Sequence, residues 1–153
     1  MQQPYIAEIN IARMRFGLED PLMAPFVARL DEINALADSA AGFVWRLKTE
    51  EGNATYLRPY DDDRILVNFS VWESIETLRE YVYKTAHAEL IRDRRQWFEE
   101  FKGSQLALWW VPRDYTPTIE EAKLRLAHLE QHGPSPFAFT FRTVFAPAGA
   151  EAV

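Results

Sequence analysis

Ile65-Leu66-Val67-Asn68-Phe69-Ser70-Val71-Trp72 alternates strictly, with Ile65, Val67, Phe69 and Val71 on one side and Leu66, Asn68, Ser70 and Trp72 on the other. A period of two belongs to a β-strand, whose successive side chains leave opposite faces of the pleat. One face is wholly apolar; the other mixes an amide, a hydroxyl and an indole. Tyr5 to Arg13 repeats the pattern, with Tyr5, Ala7, Ile9 and Ile11 against Ile6, Glu8, Asn10 and Ala12. Both stretches read as half-buried strands with a core face and a mixed face.

Between them, Asp20 can cap a helix opened by Pro21, and Phe26, Leu30, Ile33 and Ala37 recur at helical spacing up to a terminator at Gly42. Phe43 to Lys48 alternates again as a second strand, and the polar stretch from Thr49 to Arg64 joins it to the third. After Trp72, Ser74 caps a helix whose stripe is Ile75, Leu78 and Val82. A second stripe (Tyr83, His87, Leu90, Ile91, Arg94, Trp97, Phe98, Phe101) is rotated by more than a right angle from the first, so a break is expected near Lys84 to Ala86. Leu106 to Pro112 is apolar on both sides, as a central strand would be. Thr118 and Glu121 form a capping box before a helix carrying Ile119, Ala122, Leu126 and Leu129. Phe137, Phe139, Phe141 and Phe145 mark one side of an expected fifth strand, and Ala146 to Val153 reads as a flexible tail.

This order predicts an α+β chain. Its first six elements make a ferredoxin-like antiparallel sheet with helices on one face, and residues 1–145 form a single domain with a C-terminal helix and strand extension. The apolar faces (Ile9, Ile11; Val67, Phe69, Val71) are expected to meet the helices. Glu8, Asn10, Asn68, Ser70 and Trp72, with Arg46, are then left on an open side that a partner subunit could close into a cavity.

Composition narrows the function. A chain of 153 residues with no cysteine is neither a disulfide scaffold nor a thiolate enzyme, and its length suffices for one sizeable core. Seventeen basic against 23 acidic residues, scattered along the chain, argue against a nucleic-acid partner. No apolar run approaches the roughly 20 residues of a membrane span, and without the marks of a signal peptide the default expectation is cytoplasm. The excess is aromatic: 10 Phe, 6 Tyr and 5 Trp, which implies an apolar cavity or an aromatic interface.

The segments Gly42-Phe43-Val44-Trp45-Arg46-Leu47, Ser70-Val71-Trp72-Glu73-Ser74, Leu108-Trp109-Trp110-Val111-Pro112, Pro117-Thr118 and Gly133-Pro134 with Phe137-Ala138-Phe139-Thr140-Phe141 resemble the bacterial domain of unknown function 3291 family. That family resembles the dimeric α/β-barrel superfamily of antibiotic-biosynthesis monooxygenases, haem-degrading enzymes, muconolactone isomerases and chlorite dismutases. The resemblance implies a homodimer packed sheet to sheet, with a pocket in each subunit between the sheet and its helices or loops. Haem degraders of the superfamily use an Asn on the first strand, which Asn10 matches. The positions of their helical Trp and His, however, fall on Tyr81 and Ile91, with His87 a turn too early.

His87 shares a helical face with Leu90, Ile91, Arg94 and Phe98, and imidazole suits proton transfer near neutral pH. The competing reading, a His bonded to a backbone carbonyl, is the commoner one. Arg94 could hold an anionic or enolate group, although a salt bridge to Asp or Glu, or snorkelling at the edge of the stripe, is the commoner reading. Asn10, Asn68, Ser70 and Trp72, with Tyr83, could orient a flat oxygenated molecule; alternatively the polar groups bond across a dimer interface. His128 and His132 have metal-ligand spacing but lack the zinc-protease motif, and Asp61-Asp62-Asp63 reads as a solvated turn, so no metal is expected.

The expected function is a small-molecule-binding protein for an aromatic or apolar ligand, acting as a monooxygenase-like or isomerase-like enzyme without a cofactor. His87 and Arg94 would be catalytic, and Asn10, Asn68, Ser70, Trp72 and Tyr83 would contact substrate. The alternative is a non-catalytic ligand-binding or interaction module.

Overall fold

The computed structural model of the protein describes residues 3–48, 60, 62, 64–84, 92–100 and 103–147. Four strands, β1 (Tyr5–Arg13), β2 (Phe43–Arg46), β3 (Ile65–Trp72) and β4 (Leu106–Val111), form one antiparallel sheet in the order β2-β3-β1-β4. With helices α1 (Ala24–Asp38) and α2 (Ile75–Lys84) in the crossovers, this is the ferredoxin-like α+β arrangement. A third helix, α3 (Ile119–His132), follows β4.

The local signals act as the chemistry requires. Asp20 accepts from the Leu22 N–H at 2.9 Å and caps a 3-10 turn, Pro21–Met23, so Pro25 falls in the first turn of α1, where a missing N–H costs nothing. Gly42 has φ +81°, and a Cβ there would lie 2.5 Å from the Thr77 side chain, so glycine is required twice over. Helix α2 is described as far as Lys84, and the break expected near Lys84 to Ala86 falls where the described residues end. Thr118 Oγ accepts from the Glu121 N–H at 3.2 Å. The Glu121 carboxylate does not complete the box; it binds Tyr115 and Arg125 instead.

The sheet faces are used the other way round from the sequence expectation. The mixed face is the one that meets α1 and α2: Ile6, Trp72 and Leu108 pack with Ala37 of α1 and with Ile75, Leu78, Tyr81 and Val82 of α2. The apolar face (Ala7, Ile9, Ile11, Val67, Phe69, Val71, Ala107, Trp109, Val111) is covered by Ala122, Leu126 and Leu129 of α3. Arg125 helps hold this helix down. Its guanidinium lies 4.2 Å from the Phe137 ring centroid and 5.4 Å from that of Trp109, and donates to the Phe137 carbonyl at 2.7 Å.

Two further expectations are corrected. β4 is an edge strand, not a central one; it is apolar on both sides because helices cover both faces of the sheet. The expected fifth strand pairs with β4 through one bridge only, in which Phe139 and Leu108 exchange backbone bonds of 2.8 and 2.9 Å. The aromatic alternation of residues 137–145 serves packing: Phe139 is fully buried, and Phe141 and Phe145 pack beside it.

Because α3 packs its apolar stripe onto this face, truncating its central anchor leaves a cavity against the sheet. Leu126→Ala is expected to lower the unfolding free energy by about 2–5 kcal/mol in denaturant titrations. At the exposed Leu124, the same substitution changes it by less than about 0.5 kcal/mol.

Candidate functional site

The register decides which polar groups meet. Glu8 stands opposite Ser70, Asn10 opposite Asn68 and Ile6 opposite Trp72, while Arg46 of β2 stands opposite Ser70 from the other side. The mixed face therefore carries a row Arg46, Ser70, Glu8 across three strands, with the Asn10–Asn68 pair one step along. These groups line a cavity of about 100 Å³ between the sheet and α1. The opposite wall comes from Phe26, Leu30, Ile33, Asn34 and Ala37 of α1, and Tyr81 of α2 contributes to the lining.

Each polar group has a defined partner. Asn68 Nδ2 donates to Asn10 Oδ1 at 3.3 Å, and Asn10 Nδ2 donates to the Glu8 carboxylate, so two amides form a relay that ends on the acid. The Trp72 indole N–H donates to Ser70 Oγ at 2.9 Å. Its ring is stacked on Tyr81, with centroids 5.0 Å apart, and meets Phe43 edge-on, and it is almost wholly buried. The Tyr81 hydroxyl donates to the Ile33 carbonyl at 3.2 Å. Arg46 makes a two-pronged pair with Asp38 at the end of α1, at 2.7 and 3.2 Å.

The electrostatics follow from burial. Glu8 is 5% exposed, the one buried charged side chain among the described residues. Loss of water raises its pKa from 4.5 to about 7, against the opposing effect of the Asn10 amide. Burial also pushes the Tyr81 hydroxyl upward, and the negative charge of Glu8 adds to that push. The Arg46 hydrogen bond holds Asp38 below the usual carboxylate range. A carboxyl balanced near neutrality at the wall of a cavity has the property that proton transfer needs.

Asn10, Asn68, Ser70 and Trp72 are thus brought together around one cavity, within a single chain. Tyr83 is not among them: it is 60% exposed, with its ring 6.0 Å from Phe141. Arg94 opens an exposed 3-10 turn, Arg94–Gln96, and does not line the cavity. His87 lies outside the described residues. Asp61 and Asp63 do too, while Asp62 pairs with Arg13 at 3.0 Å. Among the described residues no group of three or more acidic, His or Cys side chains could hold a metal.

Sequence reasoning gave no role to Glu8 or Tyr81. The available signal for Glu8 was an acid between Ile6-Ala7 and Ile9 in a strand with few polar residues. For Tyr81 it was the match to the helical Trp position of the haem degraders.

The family model described as Domain of unknown function (DUF3291) matches residues 5–153, and the chain belongs to that family. No curated protein matches it. Among solved structures it is similar to SnoaB, a cofactor-independent oxygenase from Streptomyces nogalater. The identity is 18%, with 75% of this chain and 99% of that one covered and a TM-score of 0.50. It is also similar to NE2512, a protein of unknown function from Nitrosomonas europaea, at 11% identity, with 77% and 99% covered and a TM-score of 0.50. At these identities the likeness is one of fold.

The raised pKa of Glu8 makes stability depend on pH. Below about pH 4.5 the group is protonated whether the chain is folded or unfolded; above about pH 7 only the folded chain must bury the charge. Stability therefore falls as pH rises through this window, by at most about 1.4 kcal/mol per pH unit and about 3 kcal/mol in all. Denaturant unfolding from about pH 5 to about pH 8 is expected to show this decline. The Glu8→Gln variant is expected to flatten it and to be more stable than the parent at the alkaline end.

Proposed function

We propose that this member of the DUF3291 family binds a small organic molecule in the cavity under α1 and transforms it without a cofactor, in an oxygenase-like or isomerase-like reaction. The observation that carries this reading is the gathering of Glu8, Asn10, Asn68 and Ser70 beside Trp72 and Tyr81 around one cavity. Polar groups are expensive on a face packed against helices and stabilise nothing there that apolar side chains would not stabilise better. Few, convergent polar groups set in apolar walls are the make-up of a ligand site. The fold shared with SnoaB, a cofactor-independent oxygenase, supports the reaction class.

In this reading the amides and the hydroxyl orient an oxygenated ligand, and Trp72 with Tyr81 forms the apolar wall. A volume of about 100 Å³ sets the scale: an apolar cavity of roughly 150 Å³ takes one benzene ring, so the ligand is no larger than a single small ring. His87 remains a candidate second proton-transfer group. The exposed Arg94 is not needed to hold an anion. The walls described above all come from one chain, so the reading is compatible with the expected homodimer without requiring it.

A screen of small, uncharged one-ring molecules by thermal shift tests the reading. A ligand at about a hundred times its Kd adds about 2.7 kcal/mol, a rise of several degrees in Tm for a chain of this size. Ala37→Leu fills the cavity from the α1 side and is expected to abolish the ligand-induced rise, whatever its effect on the ligand-free Tm. A ligand shift that survives Ala37→Leu, or no shift with any compound, overturns the assignment.

A further inference from the structure

Glu8 is placed at the centre of the sheet with little to neutralise it. Across the sheet it faces Ser70 of β3 and Leu108 of β4. The groups facing the cavity from elsewhere are Asn10 and Asn68 on the sheet, Arg46 of β2, Asn34 of α1 and Tyr81 of α2, with Asp38 at the end of α1 behind Arg46. The positive charge of Arg46 is already matched by Asp38. Among the described residues, the Glu8 carboxylate has one hydrogen-bond partner, the Asn10 amide, and no cation in ion-pair contact. The one negative charge of the cavity wall is thus held by an amide relay and left otherwise uncompensated.

We propose that Glu8 is the proton acceptor of this cavity, and that the cavity takes a small uncharged molecule carrying a weakly acidic O–H, or a C–H beside a carbonyl, which is delivered to that carboxylate. The inference rests on the pocket reading above and names its substrate class. In the step, the O–H or C–H bond of the substrate breaks and its electron pair stays on the substrate as a phenolate or enolate. The proton forms the O–H of Glu8. One negative charge passes from protein to ligand, so the charge of the cavity is unchanged and no added cation is needed. An anionic ligand would instead set a second negative charge beside Glu8 in a poorly solvated space, where like charges repel most strongly. A group whose burial brings its pKa to about 7 can take such a proton at neutral pH and return it, to the same atom or to another.

Three one-ring probes separate the possibilities: phenol, which has the O–H; anisole, which lacks it; and benzoate, which is an anion. Phenol is expected to bind more tightly as Glu8 ionises, by up to about tenfold between about pH 6 and about pH 8, in proportion to the ionised fraction. Anisole is expected to bind with no pH dependence, and benzoate at least tenfold more weakly than phenol. Glu8→Gln is expected to remove the pH dependence for phenol and to narrow the gap to benzoate. Infrared spectra supply a ligand-free readout: the carboxylic-acid C=O band of Glu8, identified by its loss in Glu8→Gln, is expected to titrate near neutral pH.

Binding of all three probes alike overturns the role of Glu8 and leaves the pocket standing; binding of none overturns both. Titration of the Glu8 band in the ordinary carboxylate range overturns the proposal whatever binds. Should Glu8→Gln fail to fold, the contrast between phenol and anisole in the parent protein decides the matter.

Discussion

Strand β1 is hydrogen-bonded on both sides, to β3 and β4, and covered on both faces, by α1 and α2 above and α3 below. Every side chain of its central run is therefore out of water: Ile6, Ala7 and Ile9 are fully buried, and Glu8 between them is 5% exposed. Burying the apolar members supplies the driving force for packing the layers. Burying Glu8 opposes it, and the position of the site follows from that opposition. The acid cannot reach solvent by rotating, so the surrounding structure has to leave space and polar neighbours beside it.

The neighbours come from register. Antiparallel pairing sets Ser70 and Asn68 directly across from Glu8 and Asn10, on the same face, and a shift by one residue would exchange them for Phe69 and Val67. That register is held firmly from the opposite face, where Ile9, Val67, Phe69 and Trp109 form a continuous apolar layer under α3. The helix farthest along the chain thus stabilises the arrangement of a site it does not touch. On the other side, Ala37 and the larger Phe26, Leu30 and Ile33 of α1 stand over the polar row without filling the space above it. A carboxyl in that space is charged or neutral at similar cost near pH 7, which is the balance a proton-transfer group requires.

Alternation and caps made most of the fold legible. β1 and β3 have the residue bounds that period-two patterning implies, and Thr118, Asp20 and Gly42 act as cap, cap and left-handed turn. The elements misread are those where one pattern has two causes. An all-apolar strand is produced equally by a central position and by an edge covered on both faces, and β4 is the latter. Alternating Phe residues after Gly133 are produced equally by a strand and by an irregular segment whose rings plug the edge of β4; only one bridge to β4 forms there, at Phe139. Of the candidate contacts, Asn10, Asn68, Ser70 and Trp72 were readable because a mixed face in a strand protein has to face something. Tyr83 and Arg94 were picked from one helical stripe, but Tyr83 lies on the exposed side of α2 and Arg94 in an exposed 3-10 turn, so a shared stripe did not place them at the cavity.

By itself the sequence determined the α+β class, the strand faces and the membership of the polar row, because periodicity and pairing are local and additive. Only the tertiary structure decided which face lies under α1 and α2, that α3 covers the other, and that Glu8 becomes the most perturbed carboxyl group among the described residues. Those outcomes depend on which of two amphipathic surfaces a helix packs against and on how much water is left beside a single side chain. Both are set by the sum of distant contacts rather than by any neighbour in the chain.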